Sequence, residues 1–197
     1  MKKKVYLFCG VESTGKTVAV ENTYNYLTKK GYKVKIVSEV GRDVCASSGG
    51  VDQMSLLDYE RILYLHQSNF LKEYSNDNNE IILLDTDSIY TRYYLEKDIE
   101  SQKTDTNLSQ KLIELSKHIT KTNIHCKRIN EIIYLNTDCP FVQDGTRTYE
   151  QTRKEDDKIL FNMYNSIYGN DYSINIIDGT NYNERTNKIL EIIDKKN

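Results

Sequence analysis

Residues 10–17 read GVESTGKT, with glycine, lysine and threonine at the spacing that grips a polyphosphate. Gly10 and Gly15 allow the backbone to turn tightly. The amides of Glu12, Ser13, Thr14 and Gly15 can then point at phosphate oxygens. Lys16 would reach the outer phosphates, and the Thr17 hydroxyl would hold Mg²⁺. A helix starting here would add its N-terminus as an anion site. The predicted cofactors are therefore ATP and Mg²⁺.

Other groups able to do chemistry lie in short polar clusters. Ser38 to Asp43 contains Glu39, Arg42 and Asp43. Phosphoryl transfer needs a carboxylate to accept or orient the proton of the attacking hydroxyl, and Glu39 is the first choice. Its rivals are Asp85 and Asp87 in Asp85-Thr86-Asp87. Arg42 and Asp43 suit substrate hydroxyls, or form only a local ion pair of little energetic value. Asp85 ends an apolar run, where an acid can orient Mg²⁺. Asp87 either acts beside it, contacts substrate, or caps the helix beginning near Ser88. Arg147 and Arg153 flank a charged helical segment, 148–158. On a mobile segment they would close over the nucleotide and neutralise transition-state charge. The plain alternative is a solvated helix face. A last cluster is Asp178-Gly179-Thr180.

These clusters must be held by a scaffold. Five strands are expected, at 5–9, 33–38, 81–84 (ending in Asp85), 132–135 and 174–177 (ending in Asp178). Lys33, Val34, Lys35 and Ile36 alternate, as on an edge strand. The other strands are continuous apolar runs, expected to be buried on both faces. Helical spacing covers 17–30, 53–74, 107–120 and 182–195. Gly31 would end the first helix. Residues 75–79 and 100–107 read as connecting loops. Alternating strands and helices imply one α/β domain over 1–197, a three-layer sandwich around a five-stranded parallel sheet. In such folds ligands sit beyond the carboxyl ends of the strands, where every polar cluster above falls.

Composition narrows the partners. A net charge of −2 argues against a general nucleic-acid footprint. Lys2-Lys3-Lys4 only flanks the first strand. No run approaches a membrane span, and no signal-peptide core follows the basic start. Cys9, Cys45, Cys126 and Cys139 show no C-x-x-C pairing and are expected to be reduced thiols in a cytoplasmic protein. His66 is expected to be structural, and His118 and His125 lack metal spacing. Sixteen tyrosines are mostly core and surface residues, although Tyr59, Tyr64, Tyr90 and Tyr93 could stack on a ring. A homo-oligomer is left open. Guanine recognition is not expected, since Asn136-Thr137-Asp138 is a poor substitute for N-K-x-D.

Taken in order, the clusters resemble the ribosylnicotinamide kinase domain of the NadR family and the AAA-type P-loop proteins around it. The residues carrying the likeness are GVESTGKT at 10–17, EVGRD at 39–43, HQ at 66–67 and DTD at 85–87. PFVQDGTR at 140–147, Arg153 and the segment Tyr182–Arg185 complete it. The resemblance implies a nucleoside/nucleotide-kinase fold with a small helical lid at about 144–158. It implies ATP-dependent phosphorylation of nicotinamide riboside at its 5′-hydroxyl. It also implies adenine contacts from Gly179 and Thr180, and substrate contacts that include Gln67 and Asp87. No H-x-G-H motif of the adenylyl-transferring NadR domain occurs, so adenylyl transfer is not expected. Rival expectations are a kinase of another nucleoside or nucleoside monophosphate, and a regulatory ATPase acting on a protein partner.

Overall fold

The computed structural model describes residues 3–50, 53–102, 106–142 and 151–196. In chain order they form β1 (Lys4–Cys9), α1 (Lys16–Lys29), β2 (Val34–Val37), α2 (Gly41–Ser48), α3 (Leu56–Ser75) and β3 (Ile81–Asp85). Then follow α4 (Ser88–Gln102), α5 (Thr106–His125), β4 (Glu131–Leu135), α6 (Arg153–Tyr168), β5 (Ile174–Ile177) and α7 (Tyr182–Lys196). The five strands make one sheet in the order β2-β3-β1-β4-β5, with every neighbouring pair parallel.

Side-chain alternation along β1 creates the layers. Val5, Leu7 and Cys9 face one core with Phe70 of α3, Ile89 and Tyr93 of α4, and Leu160, Tyr164 and Tyr168 of α6. Tyr6 and Phe8 face the other, with Ala19, Val20 and Leu27 of α1 and Ile189 and Ile193 of α7. Each buried Val, Leu, Ile or Phe among them contributes about 1.5–3 kcal/mol by leaving water. Tyr59, Leu95 and Leu112 add a smaller cluster among α3, α4 and α5. Register aligns Phe8 with Asp85 and Cys9 with Tyr134, so β1, β3 and β4 end together. That shared edge positions the site.

Several expectations change. Residues 41–48 form α2, so Arg42 and Asp43 stand on a short helix. The expected loop at 100–107 is partly helical, since α4 runs to Gln102 and α5 opens at Thr106. β5 is not buried on both faces: it is an edge strand, and Ile176 is 54% exposed. The largest change concerns the lid. The expected helix at 148–158 is instead, from Arg153 onward, the start of α6, which is locked into the core by Leu160, Tyr164 and Tyr168. Asp156 accepts hydrogen bonds from Tyr93, Lys97 and Thr152, and Asp157 from Tyr134 and Thr137. Residues 144–150 of the expected lid, Arg147 among them, lie outside the described residues.

Candidate active site

The turn between β1 and α1 is built from backbone shapes that side chains rarely adopt. Gly10 has φ 138°, and a Cβ there would lie 2.2 Å from the Leu135 carbonyl oxygen of β4. Gly15 has φ 81°, and a Cβ there would lie 2.5 Å from the Tyr182 ring. Ser13 also has positive φ, 59°. Left-handed residues flanking Thr14 gather amide hydrogens into a concave nest suited to an anion. The Thr14 hydroxyl closes the loop on the Val11 carbonyl at 2.8 Å.

Lys16 is buried at the start of α1, where its ammonium donates to the Val11 carbonyl at 2.8 Å. It also lies 4.9 Å from the centre of the Tyr90 ring, a cation–π contact from α4. Burial lowers the Lys16 pKa, opposed by the negative charges of Glu39 and Asp85. Thr17 follows, and its hydroxyl donates to Asp85 Oδ2 at 3.3 Å. This brings the end of β3 against the start of α1, as the shared strand edge requires. Asp85 Oδ1 is buried with no hydrogen-bond partner. Burial and the neighbouring Glu39 raise the Asp85 carboxyl to about 6, while Lys16, Thr17 and Arg42 pull it down. A buried, unpaired carboxylate oxygen beside a threonine hydroxyl fits a hard divalent cation such as Mg²⁺. Lys16, Thr17, Glu39, Arg42 and Asp85 therefore share one electrostatic neighbourhood. Asp43 is exposed on α2.

Three other candidates are placed differently. Asp87 is buried, with Oδ1 accepting from the Ile89 amide at 3.0 Å and the Tyr164 hydroxyl at 2.7 Å. Its Oδ2 accepts from the Tyr168 hydroxyl at 2.9 Å. This is the helix-capping alternative, reinforced from α6. Gln67 exchanges amide hydrogen bonds with Asn123 of α5, which also receives Arg128. Gln67 also lines a small cavity with His66, Leu84, Asp87 and Ser88 at the carboxyl end of β3. Arg153 does not reach outward as a clamp: its terminal nitrogens donate to the carbonyls of Cys139 and Ser13, at 2.8 and 3.0 Å. Beside them, His66 shares a hydrogen bond with the Asp85 carbonyl at 3.2 Å, and burial lowers its pKa to about 4. Of the ring-stacking tyrosines, Tyr59 and Tyr93 bond Asp98 and Asp156, while Tyr64 is exposed. Tyr90 stands at the loop with Tyr94 edge-on at 4.9 Å.

Sequence reasoning assigned no role to Arg185, which reaches the same loop from α7. It donates to Thr14, Asn136 and Gly179, whose neighbour Thr180 is exposed. The available signal was its spacing: Arg185, Ile189 and Ile193 form one buried stripe of α7, an unusual place for a charge.

A phosphate-gripping loop between the central strand and a helix, faced by acids from neighbouring strands, defines a P-loop nucleotide-binding protein with a kinase-like α/β fold. The chain belongs to the AAA domain family, which it matches over residues 5–185. Its fold is similar to that of the NadR protein in complex with NR, at TM-score 0.74 and 21% identity. That likeness covers 96% of this chain and 51% of NadR, so the chain spans about half of NadR's length. Thymidylate kinase from Ehrlichia chaffeensis aligns at TM-score 0.62 and 11% identity, over 98% of this chain and 99% of that one. Thymidylate kinase from Candida albicans aligns at TM-score 0.58 and 13% identity, over 99% and 92%. No curated protein matches the chain by sequence. Among the described residues no helix is long and apolar enough to cross a membrane.

Proposed function

We propose that the chain is an ATP-dependent kinase of a small nucleoside-like acceptor, and that the acceptor is nicotinamide riboside, phosphorylated at its 5′-hydroxyl. One observation carries this: the unpaired, buried Asp85 Oδ1 beside Thr17, on the same loop as Lys16 and within the field of Glu39. A loop that only bound an anion would gain nothing from a buried Asp85 and a second acid, Glu39, next to it. A kinase needs them, one at the metal and one at the acceptor.

The loop amides and Lys16 bind the phosphates, and Thr17 with Asp85 would hold Mg²⁺. Bound there, the cation would neutralise charge on the outer phosphates. Glu39, at the end of the edge strand, takes the proton of the acceptor hydroxyl as its oxygen bonds to the γ-phosphorus. The bond from that phosphorus to its bridging oxygen breaks, and ADP leaves with the electron pair. Arg42 orients acceptor hydroxyls from α2. Because Glu39 and Asp85 make the acceptor side acidic, an uncharged or cationic acceptor fits better than a dianionic monophosphate. The NadR complex with NR supports the pyridinium nucleoside. The thymidylate kinase likeness favours a nucleoside monophosphate, for which exposed Arg42 would be the anchor.

A phosphate-transfer assay across nicotinamide riboside, common nucleosides and their monophosphates decides between them. Turnover of nicotinamide riboside above all others is the expected result. Turnover of nucleosides or monophosphates with none of nicotinamide riboside would reject that acceptor. Robust ATP hydrolysis without any acceptor would instead favour a regulatory ATPase.

A further inference from the structure

Two arginines stand behind the phosphate loop. Arg185 is 1% exposed and Arg153 is 7% exposed. Arg185 donates from Nε to the Gly179 carbonyl at 2.7 Å, and from Nη1 to the carbonyls of Thr14 at 2.9 Å and Asn136 at 3.0 Å. Its Nη2 donates to Asn136 Oδ1 at 2.8 Å. Arg153 takes the neighbouring Ser13 carbonyl at 3.0 Å and that of Cys139 at 2.8 Å. All these acceptors are neutral. Among the described residues neither guanidinium forms an ion pair with a carboxylate. The acid that feels Arg185, Asp178, is largely exposed and pairs with Lys188 at 2.6 Å. A buried cation is costly unless a counter-charge lies near it.

The two grips fall on consecutive peptide groups. In a trans peptide the carbonyl and the next amide point in opposite directions. Drawing the Ser13 and Thr14 oxygens backward therefore turns the Thr14 and Gly15 amides forward, into the anion nest. We infer that Arg185 is a positioning residue for the nucleotide's phosphates. It fixes the Thr14–Gly15 peptide in its anion-binding orientation, and its unpaired buried charge is answered by the polyphosphate in front of the loop. The same guanidinium ties that loop to the ends of β4 and β5, so α7 braces the phosphate site from behind. This rests on the nucleotide-binding reading above but not on the identity of the acceptor.

Calorimetric titration of the full chain with MgATP, and separately with inorganic tripolyphosphate, tests it. Arg185→Met should weaken both probes in parallel, by about tenfold. A second variant separates the role from general stability. Asn136 donates from Nδ2 to Asp138 Oδ2 at 2.8 Å. The double exchange N136D/D138N keeps a hydrogen bond between these positions and the net charge, but hands Arg185 a carboxylate. It should keep or raise Tm while weakening both probes about fivefold. A merely structural arginine would move stability and affinity together. Affinity within about twofold of wild type in the double exchange would overturn the inference, as would a loss for MgATP that spares tripolyphosphate. If Arg185→Met does not fold, the double exchange decides alone. Failure of the wild-type chain to bind either probe would remove the nucleotide-binding reading and this inference with it, a result distinct from equal affinities.

Discussion

Lys16 and Glu39 occupy one electrostatic neighbourhood but should fail differently when altered. Lys16 is a buried cation at the phosphate loop, so Lys16→Ala removes charge stabilisation that the transition state needs. Turnover should drop by about 10²–10³-fold, with the circular dichroism spectrum unchanged. Activity that survives would place the site elsewhere. Glu39→Gln keeps shape and hydrogen bonding but cannot take a proton. It should lower kcat by about 10²-fold or more with KM little altered, whereas a pure rise in KM would make Glu39 a binding group. Lys16 was proposed from the spacing of the glycine-rich loop, and Glu39 from its place after the alternating edge strand. The setting of Asp87 was not legible: its two tyrosine partners, Tyr164 and Tyr168, lie far along the chain, and no local pattern announces them.

Among the elements, α3 offers the cleanest local test. Ser55 and Asp58 form a reciprocal capping box at its N-terminus. Ser55→Ala should cost about 1 kcal/mol in urea unfolding near neutral pH. The Ser55 amide and hydroxyl hold the Asp58 carboxyl below the usual carboxylate range. Its folded pKa is therefore lower than its unfolded one. The stabilisation is present above the unfolded value and is lost as pH falls through the folded one. The gap between wild type and Ser55→Ala should thus be constant above about pH 5 and narrow in acid. A gap that widens in acid would contradict the cap. Element types and most boundaries were readable because helix and strand periods differ. α2 escaped notice because Gly41–Ser48 is short and mostly exposed, with only Val44 and Cys45 buried. The start of α6 was read as part of a lid because its first turn is charged, yet Arg153 and Asp156 in that turn are buried.

Across the whole molecule, α6 is joined to the β3–α4 corner through Asp87. The Tyr168 hydroxyl is the partner of Asp87 Oδ2, and both residues are buried. Tyr168→Phe leaves that oxygen unsatisfied and should cost about 1–3 kcal/mol in chemical denaturation. An unchanged midpoint would mean that Asp87 is held by other means. The same contact joins the helix that begins at Arg153 to the β3–α4 corner. That helix is fastened to the core by Leu160, Tyr164 and Tyr168.

The phosphate loop, the parallel α/β class and the placing of polar clusters at strand ends were determined by sequence alone, because turn chemistry and hydrophobic period are local properties. Tertiary structure decided the strand order, the inward turn of Arg153 and Arg185, and the pairing of Thr17 with Asp85. Those depend on which distant segments meet, and on whether a charge is surrounded by water or by carbonyls. Periodicity along one chain carries neither piece of information.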